Sequence, residues 1–191
     1  MKSKLLCFLL ILAFSILISS CSNAPSFQNS RLEEKTAEIK VQSSPVQIGN
    51  KVGNEPPVFE INDTEGNRLN LKDLIASGRP VLLYFYATWC PYCHEDFSQL
   101  SKVYADYKNN VTIIAINLDA DEAKDTIKNY KSKFPQLSEI YFTAADDKIL
   151  IDYDITRTTT KYAIKEGKIV YAGSGVFSQK HWNILLSEMA R

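Results

Sequence analysis

The segment ATWCPYCHED, residues 87–96, contains Cys90 and Cys93, the only cysteines beyond residue 21 of this 191-residue chain. Two cysteines separated by two residues can form half of a metal site, a structural disulfide, or a dithiol that exchanges electrons with other thiols. A tryptophan precedes the pair and a proline follows the first cysteine. The choice among the three depends on the elements that position the two sulfurs.

The cysteines follow a strongly apolar segment. VLLYFY, residues 81–86, is apolar on both faces and predicts a buried central strand. If a helix begins directly after it, Cys90 is the N-cap and Pro91 takes the first helical position, where a missing N–H costs nothing. The positive end of the helix then stabilises a Cys90 thiolate and lowers its pKa. We therefore predict an exposed nucleophile at Cys90 and a more buried resolving thiol at Cys93, together forming a redox-active disulfide.

A zinc site and a structural disulfide are the two alternatives. Structural zinc takes about four ligands, and beyond residue 21 the chain offers only Cys90, Cys93, His94 and His181 as cysteines and histidines. A disulfide across two residues closes too small a loop to restrict the unfolded chain much. We predict no metal ion and no cofactor, and we interpret His94 as an exposed residue of the first helical turn.

The overall charge excludes one class of partner. The chain has 22 basic and 22 acidic side chains and a formal net charge of zero. Its 45% apolar and 23% charged residues are ordinary for a globular protein. Because no basic field would attract a polyanion, we expect no nucleic acid among its partners.

The start of the chain has the pattern of an export signal. Lys2 and Lys4 precede an apolar run of 14 residues, which suits a secretory signal and is short for a membrane span. The following ISSC, residues 18–21, resembles a bacterial lipoprotein signal, whose cysteine becomes the lipidated first residue. We predict a signal peptide over residues 1–20 and lipidation at Cys21. An ordinary cleaved signal peptide and an uncleaved anchor are the alternatives.

Export determines which cysteines are left for chemistry. Cys7 lies in the apolar run and is discarded with it, and Cys21 carries the lipid. A polar tether over residues 21–51 is predicted to connect that lipid to one domain over residues 52–191. Disulfides form and persist in an oxidising compartment. The cysteine pair of the domain can therefore alternate between dithiol and disulfide there.

The apolar pattern after the tether predicts alternating strands and helices. Two short alternating runs, at 58–61 and 68–71, predict an N-terminal β-hairpin. Residues 111–118 predict a second buried strand. Two further runs, joined at Glu166-Gly167, predict a closing hairpin before a last helix over 178–190. The order predicts an α/β fold with a mixed sheet between two layers of helices.

WCPYC after an apolar strand resembles the thioredoxin superfamily, and residues 52–190 resemble the exported disulfide reductases of the TlpA/ResA type. The resemblance implies a thioredoxin-like fold, a central mixed β-sheet flanked by helices with the N-terminal hairpin as an extension. It also implies an active-site surround beside the cysteines. The matching segments are Pro56-Pro57-x-Phe59, Asp63-Thr-Glu-Gly66, LLYFYATWCPYC, Tyr153-Asp-Ile and Glu166-Gly-Lys-Ile-Val170, and the surround consists of Trp89, Pro91, Tyr92, Thr158 and Thr159.

Three features of the sequence either differ from the family pattern or allow two interpretations. Tyr84 stands where thioredoxin has a buried acid, so proton transfer at Cys93 would need another group. The acidic run Asp119, Asp121 and Glu122 either supplies an active-site acid or caps the next helix, and we favour the cap.

Position 159 is the third feature, and it bears on substrate release. The family places a cis-proline opposite the cysteines, and this chain has Thr159 there. We expect the N–H and hydroxyl of Thr159 to lie close to the Cys90 sulfur. Slower release of a bound partner would follow.

The combined features predict a lipid-anchored, extracytoplasmic thiol–disulfide oxidoreductase of a bacterial cell envelope. Its partners are expected to be protein thiols and disulfides, a membrane or periplasmic electron donor, and the membrane reached through the lipid. The resemblance favours the reducing direction, with cytochrome c maturation as one pathway it could serve. The alternative is a binding module with slow turnover that retains thiol substrates or handles metal.

Overall fold

A five-stranded mixed sheet lies at the centre of the structure. The computed structural model describes residues 46–191, and the predicted signal peptide, Cys21 and the tether up to residue 45 lie outside the described residues. The strands of the sheet and of a separate hairpin are β1 (Glu60–Asn62), β2 (Arg68–Asn70), β3 (Val81–Tyr86), β4 (Thr112–Asn117), β5 (Tyr141–Thr143), β6 (Thr160–Lys165) and β7 (Lys168–Ser174). The helices are α1 (Leu71–Ala76), α2 (Pro91–Ser101), α3 (Lys124–Lys131), α4 (Asp147–Asp152) and α5 (Gln179–Ala190).

The sheet has the strand order β5-β4-β3-β6-β7. β4 runs parallel to β3 and to β5, whereas β6 is antiparallel to both β3 and β7. Every residue of β3 and β4 is buried. This confirms the prediction, made from their continuous apolar runs, that both strands are covered on both faces. The predicted α/β class with a mixed sheet is confirmed.

The two faces of the sheet have separate cores. The cysteine face is the one that contains Cys90 and Cys93, and it is covered by α2, α3 and α5. The hairpin face is covered by α1, α4 and the β1–β2 hairpin. Because side chains alternate along a strand, β3 supplies both cores, with Leu82, Tyr84 and Tyr86 on the cysteine face and Val81, Leu83 and Phe85 on the hairpin face.

The residues before β3 protect both edges of the sheet. The predicted N-terminal hairpin is confirmed as the antiparallel pair β1–β2. Just after β1, the Thr64 N–H donates to the Phe142 carbonyl of the edge strand β5 (2.8 Å). At the other edge, the Gly53 N–H donates to the Ile169 carbonyl of β7 (2.8 Å). Unpaired strand edges can associate with other chains. By hydrogen-bonding to both edge strands, this segment makes such association less favourable.

The helix that contains Cys93 is continued by a second, tighter helical turn. α2 ends at Ser101, and a 3₁₀ turn at Tyr104–Asp106 continues the chain. Tyr104 is buried in the core all the same. Within residues 46–191, every helix is too short or too polar to cross a membrane.

Candidate active site

Cys90 is the N-cap of α2, as the sequence predicted. Its backbone is extended (φ −81°, ψ 115°), Pro91 occupies the first turn, and the Cys93 N–H donates to the Cys90 sulfur at 3.3 Å. The peptide N–H groups at the start of a helix are otherwise unpaired and carry partial positive charge. The connection from β3 to α2 therefore places a sulfur where a thiolate is stabilised.

The two thiols differ in acidity more than in exposure. Cys90 exposes 3% of its surface and Cys93 none. The predicted exposed nucleophile was therefore wrong with respect to exposure, and the Thr158 side chain lies against the Cys90 sulfur. Burial alone would raise the pKa of Cys90, but hydrogen bonds from Thr158 and Cys93 bring it below its ordinary value. Burial, together with Cys90, raises the pKa of Cys93 to about 12. One thiol is thus prepared to ionise and the other to stay protonated.

The hydroxyl that reaches Cys90 belongs to Thr158. Thr158 Oγ1 lies 3.1 Å from Cys90 Sγ, and a hydroxyl in that position donates to a thiolate. The hydroxyl of Thr159 was predicted beside the sulfur, but it points away and accepts from the Gly175 N–H (3.2 Å). Residues 157–159 form a bend just before β6, so adjacent side chains of this bend reach different partners.

A buried ion pair lies within the cysteine face. Lys161 Nζ of β6 is 2.5 Å from Asp96 Oδ2 of α2, and both side chains are completely buried. Asp96 Oδ2 also accepts from the Tyr84 hydroxyl (3.0 Å). Its Oδ1 accepts from the Phe177 N–H (2.8 Å) and from Trp182 Nε1 (2.9 Å). The rings of these three aromatic residues have their centroids 4.6–5.3 Å from the lysine nitrogen, within the range of cation–π attraction.

Burial and mutual attraction act in opposite directions on the pKa values of the ion pair. Burial raises the pKa of the Asp96 carboxyl, and the Lys161 charge opposes that shift. Burial lowers the pKa of Lys161, and Asp96 and a Cys93 thiolate oppose it. Four donors converge on the carboxylate, and hydrogen bonds of this kind favour its ionised form. Since a Cys93 thiolate stabilises the lysine charge, the lysine charge equally stabilises a Cys93 thiolate.

This pair also accounts for the departure at position 84. Tyr84 has no acidic group, but its hydroxyl donates to Asp96, so the buried acid near the cysteines comes from α2. Sequence reasoning missed both Asp96 and Lys161. The sequence contained a signal for each, a charged residue among inward-facing apolar ones. Asp96 lies beside Phe97, and Lys161 is two positions from Ala163 on the same strand.

The acidic loop after β4 holds the segment that leads to Cys90. The Glu122 carboxylate accepts from the Thr88 N–H (3.1 Å), the Thr88 hydroxyl (2.7 Å) and Asn117 Nδ2 (2.5 Å). Asp119 Oδ2 accepts from Trp89 Nε1 (2.6 Å). The prediction that these acids cap the next helix was wrong, because α3 begins after Ala123 with no side-chain cap. Glu122 and Asp119 bind the active-site segment instead, through Thr88 and Trp89.

The remaining surround residues lie on the surface around the cysteines. Trp89 is 63% exposed and Tyr92 68% exposed, and Pro91 is exposed as well. These side chains are available to contact a partner protein.

The two histidines lie on different helices. His94 packs against Phe134 (ring centroids 5.0 Å apart), and His181 Nδ1 lies 3.0 Å from the Ser178 hydroxyl at the start of α5. Across residues 46–191, no three cysteine, histidine or acidic side chains are grouped to hold a metal ion.

Comparison with known proteins agrees with this geometry. Residues 52–172 match the AhpC/TSA family. The thiol-disulfide oxidoreductase ResA of Bacillus cereus (strain ZK / E33L) is 36% identical over 125 residues, which are 63% of this chain and 68% of that protein. ResA of Bacillus subtilis (strain 168) is 30% identical over 131 residues, 66% of this chain and 69% of that protein.

Solved structures share the fold at lower identity. A putative thiol:disulfide interchange protein DsbE from Chlorobium tepidum superposes with a TM-score of 0.60 at 23% identity, covering 73% of this chain and 98% of that one. The pneumococcal exposed lipoprotein thioredoxin of Streptococcus pneumoniae strain TIGR4 superposes with a TM-score of 0.58 at 19% identity, covering 69% and 99%. The predicted thioredoxin-like fold is confirmed.

Proposed function

The chain belongs to the AhpC/TSA family and is a thiol–disulfide oxidoreductase of the ResA type, and we propose that Cys90 and Cys93 are its redox pair. The observation that carries this assignment is the opposite shift of the two thiol pKa values at one helix N-terminus. Cys90 ionises more readily than an ordinary thiol and Cys93 less readily. Exchange through a mixed disulfide needs that asymmetry.

In the reducing direction, the Cys90 thiolate attacks one sulfur of a substrate disulfide. The substrate S–S bond breaks, a bond forms between Cys90 and that sulfur, and the other substrate sulfur leaves as a thiolate that takes a proton. Cys93 then loses its proton and attacks Cys90 Sγ, which releases the second substrate thiol. The Lys161 charge favours the Cys93 thiolate in this step. Two electrons pass to the substrate, and the protein is left with a Cys90–Cys93 disulfide.

The domain acts outside the cytoplasm, attached to a membrane through a lipid on Cys21. The support is the sequence of residues 1–21, with its basic start, apolar run and ISSC ending. A membrane or periplasmic donor would return the disulfide to the dithiol, and maturation of c-type cytochromes is a pathway that uses such reduction. A Cys21→Ala variant should remain unprocessed. An unmodified N-terminus at or beyond Ser22 in the native protein would refute the lipid anchor.

The redox assignment is tested by turnover and trapping together. The reduced domain should reduce insulin disulfides, and Cys90→Ser should abolish that reduction. Cys93→Ser should still attack and should accumulate mixed disulfides through Cys90, visible on non-reducing gels of cell extracts. An empty trap, or turnover that survives in Cys90→Ser, would disprove the assignment. The reduction potential of the pair, measured against glutathione, decides the direction of electron flow.

A further inference from the structure

Thr159 is the point at which the loop beside Cys90 is tied to the rest of the fold. Its hydroxyl accepts from Lys161 Nζ (3.3 Å) and from the Gly175 N–H (3.2 Å). Its carbonyl accepts from the same Gly175 N–H (3.2 Å) and lies 3.4 Å from Lys161 Nζ. Thr159 is 1% exposed, so these contacts are shielded from water and are stronger for it.

Lys161 connects three segments around the cysteines. Besides Thr159, its ammonium group donates to the Gly175 carbonyl (2.7 Å) and pairs with Asp96 of α2. Asp96 lies on the helix that begins at Cys90, three residues beyond Cys93. The lysine therefore links the helix with the sulfurs, the loop facing them and the segment after β7. We call Asp96, Thr159, Lys161 and Gly175 the lysine brace.

The lysine brace adjoins Thr158. Within residues 46–191, Thr158 has the only side chain outside α2 that forms a hydrogen bond with Cys90. Thr158, which precedes Thr159 directly, places its hydroxyl 3.1 Å from Cys90 Sγ. A hydroxyl can stabilise a thiolate only while its backbone holds it in hydrogen-bonding range. A proline at position 159 would restrict the backbone through its ring. Threonine has no ring, and here hydrogen bonds from Lys161 and Gly175 restrict that residue.

We propose that Lys161 is a positioning residue for Cys90, which acts through Thr159 to hold the Thr158 hydroxyl on the sulfur and so stabilise the thiolate. This inference rests on the proposed function, in which that thiolate is the attacking group. Asp96 is part of the same device, as the anion that compensates the lysine. With four donors on its two oxygens, Asp96 is occupied as an acceptor and serves position rather than proton transfer.

The test is the pH dependence of Cys90 alkylation in the reduced protein, with labelled peptides identified by mass spectrometry. Thr159→Val removes the hydroxyl and keeps the side-chain shape. It should move the midpoint of the rate–pH profile upward and slow alkylation at pH 7 about threefold, since fewer thiols are ionised. Thr159→Ser restores the hydroxyl and should restore the wild-type profile. Thr158→Val should give the largest shift of the three.

Thr156→Val is the matched control, because Thr156 is an exposed threonine of the same loop. It should leave the profile unchanged. If Thr159→Val does not fold, the double variant Asp96→Leu with Lys161→Met removes the lysine without leaving an unpaired charge, and it should show the same upward shift.

A lower melting temperature in Thr159→Val with an unchanged profile would overturn the inference, because the brace would then be merely structural. An unchanged profile in Thr158→Val, or in the folded double variant, would overturn it as well. The measurement needs no turnover. A wild-type protein that fails to reduce insulin would disprove the proposed function and leave the alkylation result readable.

Discussion

The two faces of the central sheet use the same strands to build different interiors. On the hairpin face, the buried hydroxyls of Tyr153 and Tyr162 are paired with backbone carbonyls. The Tyr153 hydroxyl donates to the Pro57 carbonyl (2.8 Å), and the Tyr162 hydroxyl donates to the Tyr153 carbonyl (2.8 Å). On the cysteine face, a lysine and an aspartate are completely buried together. The core of the hairpin face contributes stability to the sheet. The core of the cysteine face must also accommodate the negative charge of a Cys90 or Cys93 thiolate.

The cysteine face also contains buried hydroxyls of another kind. Within residues 46–191, three buried hydroxyls have no hydrogen-bond partner: those of Tyr86 and Tyr130 in the core of the cysteine face, and that of Thr64 in the turn of the β1–β2 hairpin. Burial, and after it nearby charges that include a Cys93 thiolate, raise the pKa of both phenols. Two of the three unpartnered hydroxyls thus lie in the core that contains the reacting sulfurs, so imperfect polar pairing is more frequent on that face. The following predictions test whether that division of roles is real.

The largest effect is expected when the ion pair is broken from one side. Lys161→Met leaves the Asp96 carboxylate buried without its counter-ion and should lower the free energy of unfolding by about 3–5 kcal/mol. The measurement is urea denaturation of the reduced domain. Adding Asp96→Leu removes the stranded charge and should recover most of the loss. A single variant as stable as the wild type would show that the pair is not a charged, buried unit.

A truncation on the hairpin face should cost stability without changing the chemistry. Leu83 is completely buried there, and Leu83→Ala should lower the free energy of unfolding by about 2–5 kcal/mol through the cavity it leaves. The rate–pH profile of Cys90 alkylation should stay at its wild-type midpoint. Leu83→Met, which keeps the volume, is the control and should cost less than about 1.5 kcal/mol. A shifted rate–pH profile in Leu83→Ala would show that packing on the hairpin face also affects the ionisation of Cys90.

The reduced protein should lose stability in alkali because of Cys93. Its pKa is raised in the fold from the ordinary 9.0 to about 12. A raised pKa contributes stability that is complete below pH 9 and is lost as pH rises toward 12. The free energy of unfolding should fall by about 4 kcal/mol across that window because of this group, at about 1.4 kcal/mol for each of the three pKa units. The difference between wild type and Cys93→Ser, which removes the titration, measures it, and parallel curves would contradict the prediction.

The smallest effect comes from two single hydroxyl deletions, one on each face. Tyr84→Phe removes a donor to the charged Asp96, and Tyr162→Phe removes a donor to a neutral carbonyl. Hydrogen bonds to charged groups are worth about 1.5–3 kcal/mol and neutral ones about 0.5–1.5 kcal/mol. Tyr84→Phe should therefore be the more destabilising of the two in urea denaturation. Equal losses would mean that Asp96 is not charged in the fold.

Much of the architecture followed from local patterns in the sequence. The apolar run at 81–86 is β3, the alternating runs around 58–71 are the β1–β2 hairpin, and the closing hairpin lies at its predicted turn. The N-cap position of Cys90 also followed, because Pro91 restricts which residue can begin a helix. Such features depend on neighbours within a few residues, and a sequence displays those neighbours directly.

Only the tertiary structure decided which side chains meet around the sulfurs. The antiparallel register of β6 on β3 places Lys161 opposite Tyr84, and packing of α2 on the same face brings Asp96 to both. The contact of Thr158 rather than Thr159 with Cys90 depends on how the chain turns into β6. These contacts join residues far apart in the chain, so they depend on strand order and register. The sequence determined the elements and the reactive turn, and the fold determined the charges that surround it.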